Sequence, residues 1–429
     1  MSELIRCARA LVHGRAVEDF AFVVTDGVII DAGAFADLRV RHADVAVRSF
    51  PSDRLVVPGF MNGHSHAYQI LLRGWADDWP FAKWRSEALY RVVPRLTPED
   101  VYWVFTAAFC EMLAAGITSV AEFFYLNGAG NAHAVAAISA AADAGIRLVF
   151  ARTWMDAGEA PAAFREETSQ AAERTAELME GYPDAHICVA PHSLHAASPQ
   201  MIRAAGAFAR EHHCLLHMHV AEAAYEGEET LARYGATPIR LLEQLGVLDE
   251  RLVAIHAIYL DEQEKRLLGA CGARVIHNPM TNQYLGDGTC DVVGLLAQGV
   301  RIGLGTDANV KPSLLDEMRA AALLQKLAHC DGTALDAAAA FSFGTAMGAD
   351  ALGLAAGELA AGAAADFVVL DAAFIDPWTP PINALVYRAQ DAHVLGTFVA
   401  GRRVYAGGPS PLAAAARHRC AEVARRLLP

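Results

Sequence analysis

Eight short apolar runs constrain this chain more than any other feature. They are 56–66, 117–123, 147–152, 186–192, 215–222, 252–257, 273–279 and 301–307. Each is rich in β-branched residues and ends in polar or small ones, and Ala/Leu/Glu-rich stretches of helix length separate most of them. Eight such units predict a (β/α)8 TIM barrel of parallel strands, with the active site at the C-terminal strand ends. His64, His66, Glu122, His192, His219, Glu222, His256 and Asp307 stand at those ends. A doubly wound open sheet is the alternative, but no Gly-x-Gly-x-x-Gly follows the first strands.

Outside the barrel, residues 4–12, 20–25 and 28–32 read as strands, as do 366–371, 394–400 and 402–405. The two ends are expected to join in a small composite β-sandwich made of 1–57 and 362–410. The barrel then occupies 58–361 and a closing helix 411–429.

Composition narrows the function. A net charge of −14 argues against nucleic acid as a partner. No apolar run reaches membrane-spanning length, and no secretory leader is evident. Eight cysteines without a C-x-x-C pair read as free thiols in a reducing cytoplasm. A small-molecule substrate is expected, and a homo-oligomer such as a dimer is compatible with the chain.

The chemistry starts at His64-Ser-His66. Residues i and i+2 of a strand share a face, so two imidazoles stand together. A lone His-x-His carries little weight, and the rest of the chain must supply the missing ligands. His219 in Leu216-His-Met-His-Val-Ala-Glu222 is the natural third imidazole, with His217 a competitor on the same face. Asp307 in Gly303-Leu-Gly-Thr-Asp307 ends the eighth run between small residues. This mixed nitrogen and oxygen set suits Zn²⁺, and Fe²⁺ or Mn²⁺ would also fit.

Taken together, Pro58-Gly-x-x-Asn-x-His64-x-His66, His219-x-x-Glu222, His256 and Gly305-Thr-Asp307 resemble the amidohydrolase superfamily, in particular its deaminase branch of single-metal enzymes. Gly357–Asp366 resembles the segment by which these proteins leave the barrel. The resemblance implies that His64, His66, His219 and Asp307 hold one Zn²⁺, which lowers the pKa of a water from about 15.7 towards about 7. It implies that Asp307 takes the water's proton, that His256 stabilises the attacked centre, and that Glu222 carries a proton to the leaving nitrogen. The strand-four position that would carry a bridging lysine in two-metal members is His192, which implies a single ion. The Pro-Cys-x-x-Cys pair of the nucleobase-editing zinc deaminases is absent.

Two substrate readings follow from further likenesses. Leu71–Asp78 resembles adenosine-type deaminases, but Lys83 stands where those carry a glutamate for ribose, and a cation accepts no hydrogen bond. His64-Ser-His-Ala-Tyr-Gln69, Trp84-Arg85, Ala121–Tyr125 and Ala190–Leu194 resemble formimidoylglutamate deiminase. That likeness implies Gln69, Arg85, Tyr125 and His192 as substrate contacts. His195 replaces an arginine of that pattern, so the pocket would keep one cation of two. The leading expectation is an iminohydrolase or deaminase acting on a small carboxylate-bearing substrate. The alternative is a deaminase of a guanine-, pterin-, triazine- or adenosine-like ring, with Trp75, Trp79, Phe81 and Trp84 available for stacking.

Overall fold

A computed structural model of the chain describes residues 2–158 and 160–428. Met1, Glu159 and Pro429 lie outside the described residues, so the expected segments 1–57, 58–361 and 411–429 are each described without one of them. The strands, in chain order, are β1 (Glu3–Val12), β2 (Arg15–Thr25), β3 (Val28–Ala34), β4 (Ala46–Phe50), β5 (Arg54–Pro58), β6 (Phe60–Ser65), β7 (Ile117–Phe124) and β8 (Arg147–Trp154). They continue with β9 (His186–Pro191), β10 (Leu216–Val220), β11 (Leu252–His256), β12 (Arg274–His277), β13 (Arg301–Leu304), β14 (Phe367–Asp371), β15 (Val394–Val399) and β16 (Arg402–Tyr405).

Strands β6 to β13 lie in sequence order in one parallel sheet, the wall of a TIM barrel. Parallel strands with helices outside are covered on both faces, so they read as continuous apolar runs; β7 is buried along its whole length. The ring closes without a regular ladder between β6 and β13. Instead, Ser65 bridges Asp307 just past the end of β13. Thr306 N and Asp307 N both donate to His64 O at 3.0 Å, and His66 N donates to Asp307 O at 3.0 Å.

The other strands form one sheet in the order β16-β15-β14-β5-β1-β2-β3, with β4 also on β1. It curls over a core that includes Phe20, Phe22, Phe367 and Phe398; the last two rings stack 4.3 Å apart. Arg147, which opens β8, makes a bidentate pair with the buried Asp366 at 3.0 Å, tying this sheet to the barrel. The helix Pro411–Leu427 packs on Pro98–Ala114. No helix among the described residues is long and apolar enough to cross a membrane.

The run 56–66 is not one strand. β5 pairs antiparallel with β14 in the small sheet, and β6 pairs with β7 in the barrel. The break falls at Gly59, whose N–H donates to Asp366 O at 2.9 Å. A Cβ at Gly59 would lie 2.2 Å from Thr118 Oγ1 and 2.6 Å from its Cγ2. Gly59→Ala is therefore expected to cost about 1–3 kcal/mol by overpacking, read as a lower denaturant midpoint. Thr118→Ala in that background should restore part of the loss. An unshifted midpoint would show that the turn has room to spare.

Candidate metal and active site

Four strand ends bring five side chains to one buried point. His64 lies on β6 and His66 just after it. His219 lies on β10, His256 ends β11, and Asp307 follows β13. His64 Nε2 is 3.2 Å from His219 Nε2 and 3.3 Å from Asp307 Oδ1, and His66 Nε2 is 3.5 Å from the same oxygen. Four donor atoms, from His64, His219, His256 and Asp307, all lie within 4.8 Å of one another. An ion bonded to four donors at 2.0–2.1 Å spaces them about 3.3 Å apart in a tetrahedron. The spacings around His64 match that edge. His66 Nε2, outside that four-donor group but 3.5 Å from Asp307 Oδ1, is close to it. His64, His219 and Asp307 therefore fit a tetrahedral transition-metal ion with His66 or His256 as the fourth donor.

Hydrogen bonds decide which nitrogens face inward. His66 Nδ1 lies 2.9 Å from Phe123 O, and His219 Nδ1 lies 3.1 Å from His192 O. A carbonyl can only accept, so both rings carry the proton on Nδ1 and leave Nε2 as a lone pair for a metal. His256 differs: its Nδ1 meets the side-chain amides of Asn282 (3.1 Å) and Asn278 (3.3 Å). Its Nε2 lies 3.5 Å from Glu222 Oε1 and 3.7 Å from Asp307 Oδ2. His217, the competing candidate, is fully buried and outside the four-donor group. Burial holds its ring pKa down to about 3.

Backbone conformation aims these groups. Ala221, His256 and Asp307 have φ of +52°, +73° and +44°, a region that non-glycine residues seldom occupy and that clusters at functional sites. A buried network supports the Asp307 turn. Asn62 Nδ2 donates to Thr306 Oγ1 (2.7 Å), which donates to Asn309 Oδ1 (2.6 Å), and Asn309 Nδ2 donates to Ser65 Oγ (3.0 Å).

The two site carboxyls are driven apart. Burial raises Glu222 well above the usual carboxyl range, and the Glu226 and Asp307 carboxylates add to it. Burial also raises Asp307, but the hydrogen bond and charge of His64, with His256 and His66, outweigh it and hold Asp307 well below. Glu122 is not at the reaction centre. Both its oxygens accept from Ala67 N, at 2.9 and 3.1 Å, fixing the turn after His66, and burial pushes it up to about 8.

A pocket of about 60 Å³ opens on this centre. Gln69, Arg85, Tyr125, His192 and His195 all line it, with Phe81, Trp84, Leu89, Tyr90, Met155 and Phe164. Arg85 sits on a π-helical stretch, Trp84–Leu89; such distortions occur mostly at functional sites. Arg85 Nε and Gln69 Oε1 are buried and have no hydrogen-bond partner among the described residues. His195 is neutral at pH 7, since burial and then the Arg85 charge lower it to about 4. Only part of the expected aromatic cluster reaches the pocket. Phe81 and Trp84 stack at 6.2 Å on its wall, whereas Trp75 and Trp79 pack on each other at 5.8 Å away from it. Lys83 is exposed, with Nζ 4.1 Å above the Trp79 ring. The sequence reading missed Asn278, Asn282 and Asn309; an amide after a strand end gives no spacing signal of its own.

The model of the amidohydrolase family matches residues 55–404. The chain is 34% identical over 402 residues to a 5-methylthioadenosine/S-adenosylhomocysteine deaminase of Syntrophobacter fumaroxidans, covering 88% of this chain and 89% of that protein. It is 33% identical over 408 residues to a 5′-deoxyadenosine deaminase of Methanothermobacter thermautotrophicus, covering 90% and 93%. It is also similar to the crystal structure of an adenosine deaminase from Xanthomonas campestris with bound zinc, at 29% identity, a TM-score of 0.90 and 98% coverage of both chains. These relatives bear the names of adenosine-type deaminases. The narrower likeness to formimidoylglutamate deiminase finds no support in them.

Proposed function

This chain belongs to the amidohydrolase family, as a hydrolase acting on carbon–nitrogen bonds, and from that membership we propose that it deaminates an amino-substituted, adenine-like ring. His64, His66, His219 and Asp307 would hold one Zn²⁺, leaving His256 for the substrate. The ion, when bound, supplies Lewis acidity that makes a water nucleophilic near neutral pH. Asp307, kept ionised, accepts the proton that water loses. Glu222, kept protonated, delivers a proton to the departing amino nitrogen, and His256 Nε2 faces the attacked ring atom. The observation that carries this reading is geometric: Glu222 and Asp307 share one pocket wall and face His256 Nε2 at 3.5 and 3.7 Å. Burial on the first against imidazole neighbours on the second pushes the two carboxyls in opposite directions, as acid and base roles require.

The ring, rather than an attached sugar, is the recognised part. The carboxyls among the pocket-lining residues are Glu222 and Asp307, both committed to proton transfer. None is left to accept hydrogen bonds from ribose hydroxyls. The aromatic wall of Phe81, Trp84 and Tyr125 suits a flat ring.

A second reading keeps the formimidoyl-type substrate, and Arg85 favours it. The residue is half-buried, its Nε is buried without a hydrogen-bond partner among the described residues, and a cation in the pocket wall suits an anionic group. An ammonia-release screen of amino-purines, pterins, triazines, adenosine-type nucleosides and formimidoyl amino acids separates the two. Free rings are expected to reach the kcat/KM usual for enzymes, at least about 10⁴ M⁻¹s⁻¹, and formimidoylglutamate to fall well short. The reverse order installs the second reading. His195→Arg should raise kcat/KM for formimidoylglutamate about tenfold, as a charged hydrogen bond contributes roughly 1.5 kcal/mol, and lower it for the ring substrate.

A further inference from the structure

His256 is a ring whose two nitrogens face different chemistry. We infer that Asn278 and Asn282 are positioning residues that hold His256 in the tautomer carrying its proton on Nε2, aimed at the substrate. The inference rests on the reading above for what His256 does, and on geometry for how it is held.

The ring is fully buried and its backbone turns at φ +73°. Nε2 has no hydrogen-bond partner among the described residues, and the polar atoms nearest it are carboxyl oxygens, Glu222 Oε1 at 3.5 Å and Asp307 Oδ2 at 3.7 Å. Asp307 carries its negative charge, so a lone pair pointed at Oδ2 would be repelled and an N–H is attracted, and Glu222 can accept that N–H through the oxygen that bears no proton. A neutral imidazole has one N–H, so Nδ1 must then accept.

Two amides meet Nδ1. Asn278, directly after β12, presents its Nδ2 at 3.3 Å, a donor to a lone pair. Asn282, on the helix Pro279–Leu285, presents its Oδ1 at 3.1 Å. A donor and an acceptor cannot both be satisfied by one ring nitrogen. Half a turn of either amide would resolve the conflict, because Asn282 Nδ2 and Asn278 Oδ1 are both buried and unpartnered among the described residues; the carboxyl oxygens facing Nε2 select the turn of Asn282. Both amides then offer N–H to Nδ1, and the Nε2 proton is free to stabilise negative charge that develops on the substrate. The opposite tautomer would require both amides to present oxygen and would leave the Nε2 lone pair facing two carboxyls.

The test uses the zinc-loaded full chain labelled with ¹⁵N-histidine, with the His256 signals assigned by their loss in His256→Asn. The parent should show a protonated Nε2 and an unprotonated Nδ1. Asn278→Asp and, separately, Asn282→Asp put a carboxylate against Nδ1 and should move the proton there. The same variants should lower kcat by about 10–100-fold, the usual effect of a residue that orients an active group, with KM within about threefold and zinc content unchanged. Two variants at independent positions guard against one failing to fold. A parent protonated on Nδ1, or folded variants that keep both tautomer and kcat, would overturn the inference. The tautomer is read without substrate. A parent with the expected tautomer and no deaminase activity therefore overturns the functional reading and leaves this one standing.

Discussion

Glu222→Gln should leave zinc in place and remove most turnover. Glutamine has the size of glutamate and can still accept or donate a hydrogen bond, but it cannot release a proton to a leaving nitrogen. Glu222 lies in the pocket wall, 3.5 Å from His256 Nε2 and outside the four-donor group. Its carboxyl is raised well above the usual carboxyl range by burial and by neighbouring Glu226 and Asp307, which favours the protonated form. A general acid contributes roughly 10²–10⁴-fold, and kcat should fall by that factor with metal content and thermal midpoint unchanged. A variant within a few-fold of the parent would remove Glu222 from the role of proton carrier.

Asp307→Asn should be more severe, because Asp307 is proposed both as a metal donor and as the proton acceptor. Turnover should drop by more than about 10⁴-fold, since groups acting as one unit fail together, and elemental analysis should find the ion largely lost. The fold should survive. The bonds that join Asp307 to β6 are made by its main-chain N and O, and asparagine tolerates the left-handed backbone that aspartate adopts at φ +44°. Deaminase activity persisting at about a percent or more of the parent, in metal-loaded protein, would exclude Asp307 from the base role.

The barrel was legible because its strands are buried on both faces and so appear as continuous apolar runs. That His64, His66, His219 and Asp307 come together was legible because they end such runs. What escaped has a physical reason in each case. The run 56–66 looked like one strand because burial alone does not reveal which sheet a residue joins; only Gly59, pressed against Thr118, marks the change. Asn278 and Asn282 act on His256 across different elements, a relation invisible in linear spacing. Trp75 and Trp79 share the composition of a stacking wall with Phe81 and Trp84, yet the pocket takes only the second pair. Arg85 enters the pocket from a π-helical turn, which periodicity does not disclose. The choice of substrate was the least legible, since short motifs pointed to one subfamily while similarity across about nine-tenths of the chain runs to adenosine-type deaminases.

The crossing at Gly59 sets the phase of the whole catalytic ring. β5 is locked to β14 residue by residue, Val57 opposite Val368 and Pro58 opposite Phe367, and His64 follows only five residues beyond the crossing. The small sheet therefore acts as an anchor that meters how far the chain enters the barrel. A slip of a single residue in that anchor would reverse the inward and outward faces of the strand that follows. His64 and His66 would then point into the surrounding helices, and Gly63 and Ser65 would face the centre. Sequence drift in the small sheet is thus limited by chemistry performed in a different sheet, although none of its residues touches the substrate pocket.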